Sequence, residues 1–129
     1  GRTSPAVERL IECNILLSGV GFESGGLALA HAIANGLTIL PECKAMHGEA
    51  VAFGLVVQLR LERAPELDQV LEFCQRVGLP TTLEELGLGE ISDADLQSVA
   101  NAVFRNERNM ANEQTKVTKQ KLVQLMCEA

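Results

Sequence analysis

The chain has 129 residues, of which 47% are hydrophobic and 22% charged, a globular balance with enough length for one domain and a real core. Aromatic residues make up only 3%, with no Trp and no Tyr, and the formal net charge is -6. Stacking platforms and basic patches are therefore both lacking, which excludes nucleic acid as a partner. Four cysteines stand far apart with no C-x-x-C pair, the pattern expected of reduced thiols in a cytoplasmic protein. The apolar stretches, such as "VAFGLVVQL", fall short of the roughly 20 residues that a membrane span needs, so no membrane anchor is expected. The opening "GRTSPAVERL" enters a helical pattern without an initiating Met, as a piece of a longer protein would.

In chain order, the sequence predicts helices and no strand pair, an all-α fold. Ser4 and Pro5 form an N-cap and first-turn pair, with Val7, Leu10, Ile11 and Ile15 at helical spacing up to Gly19. The glycine-rich "SGVGFESGG" is expected to be a corner between helices. Ser24 can cap a helix from about Gly25 to Asn35 with Gly36 as its stop. Pro41 breaks the connection "LTILPECKAM", and a helix follows from about His47 to Glu62. Pro65 opens the next one, with Leu67, Val70, Leu71, Cys74 and Val77 as an apolar stripe and Gly78 as its end.

Two capping patterns come next. Thr82 with Glu85 announces a short turn, and Ser92 with Asp95 a helix over about Asp93 to Asn106 that buries Leu96, Val99, Ala100 and Val103. After the polar "RNERNMANEQTK", Thr118 can cap a last helix with Leu122, Leu125 and Met126 inward. No period-2 run is bounded by hairpin turns, and there is no internal repeat or linker.

The segment "GVGFES" begins like a dinucleotide fingerprint and fails it. The third glycine would fall on Ser24, and the preceding segment is helical where a strand is required. The two histidines are more informative. His31 lies among Leu27, Ala28, Ala30, Ile33 and Ala34, where an unpartnered imidazole costs on the order of 1 to 3 kcal/mol. It is a satisfied core group, a base or a metal ligand. His47 opens a helix whose early positions, Gly48, Ala50, Ala52 and Gly54, are small enough to admit a neighbouring helix. A helix, a connection and an antiparallel helix can bring the two imidazoles face to face, an arrangement that suits zinc or ferrous iron. A catalytic site normally adds a third ligand, and Glu42, Cys43 and Glu49 are the local candidates.

Residues 18 to 59, with "GFESGGLA", "HAIANGLT" and "HGEAVAFG", resemble the C-terminal helical domain of glycerol dehydrogenases in the iron-containing (group III) alcohol dehydrogenase family. Weaker similarity runs on through "VGLPTTLEELGL" to "KVT". The resemblance implies a single helical domain over 1–129, the C-terminal portion of a longer enzyme whose nucleotide-binding domain is absent. It implies NAD-linked oxidation of a vicinal diol such as glycerol to a hydroxyketone. His31 and His47 would be metal ligands, for zinc or iron, and Phe22 would line the substrate pocket. The family's third ligand is an aspartate from an upstream helix, outside these residues. The isolated chain is therefore expected to be catalytically incomplete and to be a homo-oligomer. The alternative is a helical packing or oligomerisation module that does no chemistry.

Overall fold

The computed structural model describes the backbone of residues 3–129, and the side chains of all of these except residues 22–25. Among the described residues there are helices and no strands, as the sequence predicts. The first stretch runs as α1 (Pro5–Glu12), a π-helical turn over Cys13–Leu17 and α2 (Ser18–Gly25). The Ser4 hydroxyl accepts the Val7 N–H, and Pro5 occupies the first turn, where its missing N–H costs nothing.

The expected corner at 18–26 is shorter than the sequence suggests. Gly19 and Gly21 lie inside helix with open space around them, since an interior glycine costs a helix only about 1 kcal/mol. Only Gly26 is needed for the turn. Its φ of +68° suits a residue without Cβ, and a Cβ there would stand 2.8 Å from Asn112 Nδ2. That nitrogen donates to the Leu27 carbonyl at 2.8 Å. Ser24, expected as the cap, falls inside α2 with its side chain outside the described residues, and α3 (Leu29–Leu37) starts later, from Ala28.

Helix α3 is the centre of the fold. All its residues except His31 and Asn35 are buried, as an all-round apolar helix requires. It packs chiefly on α4 (His47–Glu62) and then on α6 (Asp93–Arg105). Gly36, expected to stop the helix, instead serves this second contact, because a Cβ there would lie 2.8 Å from Val103 Cγ2 and 3.2 Å from the Val99 carbonyl oxygen. Phe53 and Val57 of α4, Leu96, Val99, Ala100 and Val103 of α6, and Leu122, Leu125 and Met126 of α8 (Lys119–Glu128) complete the core with Leu29, Ile33 and Leu37. Each large apolar side chain buried this way contributes about 1.5–3 kcal/mol.

The remaining elements follow their signals closely. Ser92 caps α6 through the Asp95 N–H, and Thr118 caps α8 through the Lys121 N–H. Gly78, at φ +74°, ends α5 (Leu67–Val77). Of the α5 stripe only Cys74 is fully buried, whereas Val77 is 54% exposed, because among the described helices α5 packs on α4 alone. The polar run after α6 contains a short helix that the sequence did not announce, α7 (Glu107–Ala111), capped by Asn106. The α1–α2 stretch packs on none of the other described helices.

Among the described glycines, the tightest surroundings are those of Gly54. A Cβ there would fall onto the Ala30 carbonyl oxygen, with the carbonyl carbon 3.0 Å and the Cα 3.1 Å away. Gly54→Ala should destabilise the chain by about 1–3 kcal/mol, the usual cost of overpacking. Gly48, on the same helix in open space, provides the control. Thermal denaturation should show a lowered Tm for Gly54→Ala and little change for Gly48→Ala, and equal melting of the two would refute the packing account.

Candidate metal centre

His31 lies in the first turn of α3 and His47 is the first residue of α4. The two imidazoles come together with ring centroids 5.7 Å apart and planes tilted by 53°. Zn–N bonds of about 2.0–2.1 Å place each ring centroid roughly 3.2 Å from a shared ion, so two adjacent tetrahedral corners separate the centroids by about 5 Å. The observed spacing fits such a pair. His31 is half-buried and His47 exposed, so one ligand would be held by the protein interior and the other would face solvent.

Burial, and secondarily the neighbouring His47, lowers the pKa of His31 from its ordinary 6.5. The shift favours the neutral imidazole, the form in which a ring nitrogen can ligate. Stability follows the same sign. As the pH falls below 6.5 the unfolded chain takes up a proton at His31 before the folded chain does, so stability is lost across the interval down to the folded value.

The local candidates for a third ligand are not gathered with the pair. Glu49 Oε2 accepts the Met46 N–H at 2.7 Å, which caps the start of α4 in the manner of a capping box. Glu42 is exposed, and Cys43 packs against the core. Among the described residues, no group of three or more His, Cys, Asp or Glu side chains could hold a metal ion. The Phe22 side chain lies outside the described residues. Gln58 is the residue the sequence reading missed. Its Oε1 accepts the Ala30 N–H at 2.9 Å across the two helices. The available signal was a lone polar residue in the apolar run "LVVQL".

A histidine-resolved NMR titration should find His31 protonating below 6.5. His47→Ala should move it back only part of the way, because burial is the larger cause. Protonation at or above 6.5, or no response to His47→Ala, would contradict this electrostatic account.

Among the described residues no helix is long and apolar enough to cross a membrane. No family model matches the chain. Individual proteins do. Glycerol dehydrogenase of Thermotoga maritima is 50% identical over 118 residues, which are 89% of this chain and 32% of that protein. Glycerol dehydrogenase of Citrobacter freundii is 49% identical over 121 residues, 92% of this chain and 33% of that protein. The crystal structure of glycerol dehydrogenase from Schizosaccharomyces pombe superposes with a TM-score of 0.87 at 39% identity, covering 96% of this chain and 32% of that one. The chain thus spans about a third of the length of the relatives it matches. In sequence and in its all-α fold alike, it belongs to the glycerol dehydrogenase family, corresponding to that third of a member's length.

Proposed function

We propose that the chain is the metal-holding helical part of a polyol dehydrogenase, in which His31 and His47 hold a zinc or ferrous ion and a vicinal diol such as glycerol is oxidised to a hydroxyketone with NAD. The convergence of the chain's two histidines, from separate helices, to 5.7 Å carries this reading. A divalent ion bound there would supply Lewis acidity that lowers the pKa of a coordinated alcohol. What the chain's own residues do is hold two imidazoles at fixed spacing through the α3–α4 contact. Burial keeps His31 in the neutral, ligating form. Phe22 is assigned to the polyol pocket on the family resemblance.

In this reading the domain over 1–129 corresponds to a C-terminal portion, and the third ligand and the NAD-binding surface come from sequence outside it. Two imidazoles hold a metal only weakly, and hydride transfer requires the nicotinamide to be positioned against the substrate. Calorimetric zinc titration should show binding that His31→Ala or His47→Ala weakens at least about tenfold, or about 1.4 kcal/mol. Glycerol and NAD added to the chain alone should yield no NADH. Zinc affinity indifferent to both substitutions would overturn the metal site, and turnover by the chain alone would overturn the incompleteness.

A second reading, a module that assembles without catalysing, is favoured by the first helical stretch. Leu10, Ile15, Leu16 and Leu17 are 57–74% exposed there, far more apolar surface than a helix that remains in water usually carries. In this reading the occupant of that surface is a further copy of the chain. Sedimentation should then give an oligomer that the double variant Leu10→Glu/Leu17→Glu converts to monomer, and a monomeric wild type at high concentration would dispose of the idea.

A further inference from the structure

We propose that Gln58 is a positioning residue for His31, fixing the first turn of α3 against the helix that carries His47. The proposal rests on the reading of those histidines as a metal-holding pair.

The start of α3 needs an external hold. It follows a link at Gly26–Ala28 from a stretch that packs on no other described helix. Its N-cap, Ala28, makes no side-chain capping bond, so the free N–H groups of the first turn lack their usual local acceptor. Gln58 supplies one from another element by accepting the Ala30 N–H at 2.9 Å in a part-buried setting. Its amide is oriented in turn by Glu62, whose Oε1 accepts from Gln58 Nε2 at 2.8 Å.

Spacing ties this bond to the metal pair. His47, Gly54 and Gln58 stand seven and then four residues apart, which places them on one stripe of α4. Gly54 lets that stripe close on the Ala30 carbonyl, while Gln58 binds the N–H of the same residue. Helix α4 therefore packs closely on the carbonyl of residue 30, the neighbour of His31, and binds its N–H, with the face that begins at His47. A shift of the α3 start along α4 would change the separation of the rings directly.

The test uses the whole 129-residue chain with cobalt(II) as the metal probe, comparing wild type, Gln58→Leu and the exchanged pair Gln58→Glu/Glu62→Gln. Gln58→Leu removes the acceptor, whereas the exchange keeps it and leaves an amide at 62 to donate to the carboxylate at 58. If Gln58 positions His31, Gln58→Leu weakens cobalt binding about tenfold or more, as loss of supporting groups around metal ligands commonly does. The visible ligand-field spectrum changes as well, and the exchanged pair restores both. Thermal melts confirm that each variant folds. Gln58→Leu matching wild type, or the exchanged pair failing as badly as Gln58→Leu, would overturn the proposal. If wild type binds no cobalt, the metal reading fails, and positioning is then judged without metal by Ala30 amide exchange and the nuclear Overhauser contact between the His31 and His47 rings. Loss of both in Gln58→Leu alone sustains the proposal, and their survival refutes it.

Discussion

Gly54 has no Cβ to place between α4 and the Ala30 carbonyl, and most of what this fold does follows from that missing carbon. Among the described residues, the α3–α4 interface is the most extensive helix pairing. At Gly54 the two backbones come so close that one methyl group would land on the Ala30 carbonyl oxygen. Close backbone approach is cheap for glycine and costly for any other residue, because cores are packed too densely to yield. The consequence reaches beyond packing. Residue 30 lies close under Gly54 with its N–H bound by Gln58, and His31 follows it directly, so the helix pair that builds the core also sets where one imidazole stands relative to the other.

Electrostatics reinforce this placement. Both histidines sit in first turns of helices, His31 in α3 and His47 at the head of α4. The aligned N–H groups at a helix start carry partial positive charge, which favours an anion nearby. Burial, and secondarily His47, holds the pKa of His31 below its ordinary value. The two helix starts that bring the rings together therefore set up a local field that favours a negatively charged oxygen beside them.

The sequence carried the fold well wherever a local signal coincided with a local cause. Ser4, Ser92 and Thr118 each cap the helix that their spacing announced, and the α6 residues expected inward are buried. The misses share one physical origin. Glycines were read as chain breakers, yet Gly36 lies inside helix because a neighbour must come close, and Gly19 and Gly21 lie inside helix with nothing pressing on them. Only Gly26 adopts the backbone conformation that the corner demanded. Whether a glycine turns the chain or admits a partner is decided by the partner, which a local pattern does not contain. Gln58 stood out as a lone polar residue in an apolar run, but its acceptor role was illegible for the same reason, since it depends on a residue 28 positions away. The histidine pair was legible because helix, connection and helix is a topology that length alone suggests.

The site also lies where two unequal parts of the chain meet. Residues from Leu29 onward share one core, while the described residues of the helical stretch before Gly26 add none to it. The link between them is nevertheless held. Asn112, just beyond α7, donates to the Leu27 carbonyl, and Gly26 can approach it only because it has no side chain. The short α7 that composition concealed therefore anchors the direction in which the first helical stretch leaves the core. With Asn112 gripping residue 27 and Gln58 gripping residue 30, the backbone is clamped on both sides of the turn that leads into His31. That ordering costs entropy that a chain stabilised only by its core would not need to spend, and it is the kind of preorganisation on which the proposed role of His31 would depend.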